Sequence, residues 1–349
     1  MSLSCNEWSG GTCMKLNIFT YLTGYYRTEL YERFAGSLFD TGFSGTLYLF
    51  IHEKDYHCLS LLPKELQDKI YFVTCPEQMQ NKQDNINDDT VEDNEQTIHP
   101  GNFRYLLYLS FLQQNKQKKN EYSLFCDSKD VLFQRNPEEY IIDDNIDMMV
   151  FQEDTSIKDC YWNMSYFDKV KSAIDNVMVP ESLRVYARGL LYGTDVPIQY
   201  TGADSMPTKS VAAFNYSHYP AISSGTTLVK NSALYYFLNT FCEYMMEYNL
   251  NTQGSIGRGL HNFLIYNKLY HCNVRVVDNK NELVYTAGYD KNNAKLDDNN
   301  QILNSDNKVP YIVHQYDRLD PSILDQISTK YEFNAWGMSN IKLTKKTKV

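Results

Sequence analysis

One stretch constrains this chain more than any other: EYSLFCDSKDVLFQRNP, Glu121–Pro137. Tyr122–Cys126 is a short apolar run of strand length, and Val131–Phe133 is apolar again. Asp127 and Asp130 stand between them. An apolar run bounded by polar residues fits a strand in the core of an α/β sheet. In open sheets of that class, ligands bind beyond the carboxyl ends of the strands. Two carboxylates at such an end suit a hard divalent cation, Mg2+ or Mn2+, which in turn holds substrate phosphates. The same pair also suits a helix cap or a turn, and this stretch alone leaves both readings open.

The flanking pattern agrees with an α/β chain. At 349 residues there is room for one large domain or two small ones. Lys15–Tyr21 reads as a strand, Glu29–Asp40 has apolar residues near helical spacing, and Thr46–Ile51 is a second strand. That βαβ opening implies a parallel pair. Pro63–Gln67 suits a short helix and Tyr71–Thr74 a strand. The spacing predicts a helix over Asn102–Gln114, with Tyr105, Leu106, Leu109 and Leu112 on one face. Asp147–Gln152 is a short strand that ends in Glu153 and Asp154. Helices follow at Tyr166–Val177 and Pro180–Leu191, and strands at Ala212–Tyr216 and Ser224–Val229. Asn231–Tyr248 and Gly257–Leu269 are helical, Val274–Val277 and Tyr311–Gln315 are strands, and Leu319–Thr329 suits a helix. Two polar stretches, Gln78–Gln96 and Lys291–Lys308, hold too few apolar residues to offset the entropy of ordering and read as flexible surface insertions. The expectation is a single α/β domain over residues 14–320, with a mixed, mostly parallel central sheet flanked by helices. A C-terminal helix and tail occupy residues 321–349.

Composition narrows the function. A net charge of −10 argues against a nucleic-acid partner, which would want a basic surface. No apolar run has the length of a membrane span, and the first one lacks the layout of a signal peptide. The eight cysteines form no CxxC pair, and several lie inside apolar runs, as expected of free thiols in a reducing compartment. Together these describe a cytoplasmic chain with no membrane anchor.

Several segments, in order, resemble nucleotide-sugar glycosyltransferases of the GT-A fold, in the families related to glycosyltransferase family 8. KLNIFTYLTGYYR at Lys15–Arg27 is similar to the first strand and nucleotide loop. HPGNFRYLLYLSFL at His99–Leu112 resembles the helix whose Arg reaches towards the nucleotide. DSKDVLFQ at Asp127–Gln134 resembles the metal motif, and AISSGTTL at Ala221–Leu228 the small-residue strand that lines the sugar site. GLHNFLIY at Gly259–Tyr266 and YIVHQYDR at Tyr311–Arg318 resemble the later helix and the strand that supplies a His.

The resemblance implies transfer of a sugar from a nucleotide-diphosphate donor, a UDP-sugar, to a hydroxyl of a glycan, a protein or a small molecule. It implies an Mn2+ or Mg2+ ion on Asp127, Asp130 and His314. A strict D-x-D would place the second acid at Lys129, so here it falls to Asp130, and Asp127 is left either on the metal or facing the ribose and sugar. Thr20, Tyr21, Thr23, Arg104, Ser223, Ser224 and Gly225 are the implied donor contacts. Each also reads as an ordinary strand, helix or turn residue, and His314 as a packed one.

The acidic–Gln pair that the family carries before the later helix is Gly257–Arg258 here. Either the group comes from elsewhere or Arg258 contacts donor phosphate or acceptor; Gln253 lies a turn too early to replace it. Glu153 and Asp154 are the nearest carboxylates for acceptor contact or base duty, and also read as a solvated turn. Tyr161 and Trp162 read as core packing in preference to an acceptor platform. Two rival functions stay open. One is a catalytically impaired sugar-nucleotide or glycan-binding protein on the same fold. The other is a nucleotidyltransferase, for which Thr23–Gly24–Tyr25 is a poor phosphate loop.

Overall fold

Seven strands, most of them short and nearly all apolar, pair into one sheet in the computed structural model, which describes residues 14–22, 28–53, 64–75, 100–175, 218–248, 250, 256–290 and 294–333. Thr23, the stretch Gln78–Gln96, the helix expected at Pro180–Leu191 and the strand expected at Ala212–Tyr216 lie outside the described residues.

In chain order the elements are β1 (Leu16–Tyr21), α1 (Thr28–Asp40), β2 (Thr46–His52), α2 (Lys64–Gln67), β3 (Ile70–Cys75), α3 (Pro100–Gln114), β4 (Tyr122–Cys126) and β5 (Val131–Phe133). Then come β6 (Met148–Ser156), α4 (Tyr161–Asp175), β7 (Pro220–Lys230), α5 (Leu234–Glu247), α6 (Gly257–Tyr266) and β8 (Val274–Val277). The last are β9 (Val284–Thr286), β10 (Lys295–Leu296), β11 (Ile302–Leu303), β12 (Ile312–His314) and α7 (Pro321–Phe333).

The large sheet has the order β3-β2-β1-β4-β7-β6-β8. Every neighbouring pair is parallel except the two made by β7, which runs against both β4 and β6. This is the mixed, mostly parallel sheet flanked by helices that the sequence implies. Its central strands β1 and β4 are buried on both faces because both faces are covered, whereas the edge strands β3 and β8 are partly exposed. In β1, Ile18 packs on the α1 side with Phe34 and Leu38, while Phe19 packs on the other with Tyr108 and Phe237. Leu124 and Phe125 divide in the same way in β4. Rings fill the second layer: Phe125 lies 5.2 Å from Phe19 and 5.2 Å from Tyr108, centroid to centroid.

A smaller sheet, β5-β12-β9, adjoins the carboxyl end of β4. Val131 of β5 pairs with His314 of β12, which carries that His to the residue after Asp130.

Four elements differ from expectation. β6 continues to Ser156, so Glu153 and Asp154 are strand residues and not a turn, the first buried and the second exposed. Helix α4 begins at Tyr161, a turn earlier than its apolar spacing suggests. Strand β9 is only three residues long and gives no periodic signal. The polar stretch read as a loop from Lys291 contains the hairpin β10–β11. Side-chain bonds take the place of an apolar face there: Gln134 Nε2 donates to the Ile302 carbonyl at 2.9 Å and its Oε1 accepts from the Ile302 N–H at 2.6 Å.

Candidate functional site

The strand order reverses between β1 and β4, the kind of switch point where a crevice opens beyond the strand ends. Asp127 is the first residue past β4. Its N–H donates to the Gly225 carbonyl at 2.8 Å, which extends the β4–β7 ladder by one step. Ser128 turns the chain by donating from Oγ to the Tyr21 carbonyl at 3.1 Å. Asp130 leads straight into β5, and its carbonyl accepts the Gln315 N–H at 2.7 Å. Thus β4, the turn after it and β12 bring Asp127, Asp130 and His314 together, with one ligand atom from each within 4.8 Å of the others.

The donor set fits a divalent cation. His314 is fully buried. Its Nε2 has no hydrogen-bond partner and lies 3.6 Å from Asp127 Oδ2 and 3.7 Å from Asp130 Oδ1. Those separations are too long for hydrogen bonds and suit three groups that share an ion. On the other side of the ring, Nδ1 is 3.2 Å from Ser223 Oγ, which also accepts the Gly225 N–H at 3.2 Å. In the tautomer with the proton on Nδ1, that bond leaves the Nε2 lone pair facing the carboxylates. Gly225 leaves the room: a Cβ there would stand 2.4 Å from Nε2 and 2.6 Å from Asp127 Oδ2.

The charges are organised around Asp127. Arg104 of α3 makes an ion pair with Asp127 Oδ1, and its second Nη donates to the Ser224 carbonyl at 3.3 Å. Tyr105 donates to the same carbonyl at 3.2 Å. Burial alone would raise the Asp127 carboxyl, but the Arg104 guanidinium and the His314 ring outweigh it and hold it far below the usual carboxylate range. Asp130 goes the other way: burial and the neighbouring Asp127 charge push it up against the pull of His314.

β6 supplies the next layer. Glu153 is buried, accepts from Asn163 Nδ2 at 2.9 Å and from Gln315 Nε2 at 3.2 Å, and lies 3.7 Å from Arg258 Nη1. Burial works against the Arg258 charge, and Glu153 and Asp127 more than restore it. Asp154, one residue on, accepts from Asn279 Nδ2 at 3.0 Å. Burial first and then the nearby Asp290 raise its carboxyl, against the bond from Asn279.

The expected donor contacts divide. Arg104, Asp127, Ser224 and Gly225 converge on the site. Ser223 stands behind it and holds His314. Thr20 does not face it: the side chain is fully buried and donates to the Cys126 carbonyl at 2.9 Å, which ties β1 to β4. The hydroxyl of Tyr21 contacts His52 Nε2 at 3.1 Å. Glu153 is buried with both oxygens engaged, whereas Asp154 is exposed and bonded through Oδ2 to Asn279. Tyr161 and Trp162 are exposed and not in the core. Sequence reasoning missed Tyr105, Asn163 and Gln315. Gln315 adopts a left-handed backbone, φ 59°, which has no signature in YIVHQYDR. Among the described residues Cys75, Cys126, Cys160, Cys242 and Cys272 carry thiols without a disulfide. No helix among the described residues is long and apolar enough to cross a membrane.

No family model matches the chain, and no curated protein matches it. Among solved structures it is similar to an active-site mutant of LgtC, at 10% identity and TM-score 0.46, over 90% of this chain and 95% of that one. It is also similar to the galactosyltransferase LgtC in complex with donor and acceptor sugar analogs, at 10% identity and TM-score 0.42, over 90% of this chain and 95% of that one. The fold itself is given by the strand order, the mixed seven-stranded sheet with the smaller sheet beside it, and the place of the site at the switch point.

Proposed function

We propose that this protein is a metal-dependent glycosyltransferase that moves a sugar from a nucleotide-diphosphate donor, a UDP-sugar, to an acceptor hydroxyl. One observation carries the reading. Asp127, Asp130 and a buried His314 Nε2 without a hydrogen-bond partner meet at the switch point, where Gly225 leaves room for an ion. Those three residues would hold Mn2+ or Mg2+, whose charge stabilises a diphosphate leaving group. Arg104 keeps Asp127 ionised and aligned, so its free oxygen is set before donor arrives. Ser223 holds the His314 ring in place. The small residues Ser224 and Gly225 let a ligand approach the backbone closely.

The test is calorimetric titration of UDP with Mn2+ and with EDTA, on the wild type and on Asp130→Ala. The expected outcome is binding that needs the metal and falls by about 100-fold or more in the variant. Absence of UDP binding under any condition removes the reading.

A second reading has its own support. Arg258 and Gly257 occupy the place where the resembled family carries an acidic–Gln pair, and Glu153 is engaged by three partners. A sugar-nucleotide-binding protein without transfer activity would bind UDP and metal yet leave UDP-sugars intact. Release of free sugar from a UDP-glucose and UDP-galactose panel separates the two.

A further inference from the structure

Helix α4 opens with two large aromatic residues that the core does not cover: Tyr161 is 77% exposed and Trp162 54%. They meet edge to face, 5.7 Å apart at 71°. One turn on, Tyr166 stacks on Trp162 at 6.2 Å and 27°. The hydroxyl of Tyr289, itself partly exposed, contacts Cys160 at the root of the same turn. Exposed aromatics scattered singly are ordinary, whereas a contiguous group marks a binding surface.

The shelf is continuous with the candidate site on its inner side. Asn163, the next residue, donates to Glu153, which faces Arg258 and Gln315, the residue after His314. Farther along α4, the Tyr166 carbonyl presses on Gly259, beside Arg258: a Cβ at 259 would lie 2.4 Å from that oxygen. The helix turn that carries the rings therefore packs, through Asn163 and the Tyr166 backbone, on the wall of the candidate site.

We infer that the Tyr161–Trp162–Tyr166 shelf holds the acceptor, and that the acceptor is a saccharide. This rests on the glycosyltransferase reading for the role of the shelf. A saccharide ring has an apolar C–H face and a polar edge. Tyr and Trp offer the matching pair, a flat apolar face with a polar tip. Three rings are small against the roughly 800 Å2 per partner that a stable protein interface buries, which weighs against a second copy of the chain.

The experiment probes an immobilised array of mono- to tetrasaccharides with labelled full-length protein, with and without UDP and Mn2+. The expected result is retention of at least one saccharide, lost about tenfold or more in Trp162→Ala and Tyr161→Ala and largely kept in Trp162→Phe. UDP–Mn2+ affinity stays unchanged in all three, which reports that the variants fold and that the donor site is intact. A wild type that binds UDP but retains no saccharide overturns the inference. So does full retention by Trp162→Ala, or a dimer in sedimentation that this variant dissociates. A wild type that binds no UDP sinks the donor reading instead, and saccharide retention lost in Trp162→Ala would still place a glycan on the shelf.

Discussion

A methyl group at position 225 would stand between His314 Nε2 and Asp127 Oδ2, within 2.6 Å of each. Gly225→Ala therefore tests the site without touching a ligand residue. Metal-dependent UDP binding is expected to fall by about 10–100-fold, with the far-UV circular dichroism unchanged, and calorimetry with Mn2+ reads it. At this scale the sequence is legible where a residue type has few uses. Carboxylates beyond a buried strand and a His at the end of another are such cases, and Asp127, Asp130 and His314 do come together. Thr20 reads either way from sequence because a strand-end hydroxyl looks the same whether it faces a ligand or, as here, a neighbouring carbonyl. The roles of Asn163 and Gln315 depend on partners 10 and 162 residues away, and no local pattern announces them.

Helix α6 shows how elements hold the site. Asn262 grips β7 by both backbone groups of Ile222, accepting its N–H and donating to its carbonyl, each at 2.8 Å. Gly259 lets α6 close on α4. A helical Gly→Ala change normally stabilises by about 1 kcal/mol. At Gly259 the sign is expected to reverse, because the new Cβ meets the Tyr166 backbone carbonyl. Urea unfolding should show Gly259→Ala destabilised by about 1–3 kcal/mol. Strands with apolar residues on both faces, and helices such as α5 with a strong apolar stripe, were legible because burial writes itself into their spacing. The hairpin β10–β11 was not, since Gln134 and other polar side chains hold it in place of an apolar face. The start of α4 was hidden for the opposite reason: its first aromatic residues face solvent and break the expected stripe.

For the molecule as a whole, His261 couples folding to pH. It is fully buried, 3.0 Å from the Tyr270 hydroxyl and 3.4 Å from Thr227 Oγ1. Burial, and secondarily the Arg104 charge, push its pKa down to about 3. An unfolded His titrates near 6.5, so between these values the unfolded chain takes a proton that the folded one refuses. Stability is full above about pH 6.5 and declines as pH falls towards 3, by ~2 kcal/mol at pH 5. Urea titrations at pH 7 and pH 5 should show that loss in the wild type and not in His261→Gln. The fold class could be read from the alternation of strands and helices. The position of β7 between β4 and β6 could not, because an antiparallel strand with both faces covered carries the same apolar run as a parallel one.

That strand has an unusual stretch. Its ladder with β6 is regular up to Val150–Thr227, breaks, and resumes at Gln152–Ile222. On one side of the break Asn262 fixes Ile222, and on the other Asp127 fixes Gly225. Ser223 and Ser224 thus hang between two anchors like the deck of a bridge, and their number sets where Gly225 stands. Loops at the ends of the strands can lengthen or shorten and leave the rest in place. Here a single insertion or deletion would carry a side chain into the ion's room or pull Ser223 from His314. The span from Ile222 to Gly225 is thus a ruler whose length the site itself sets.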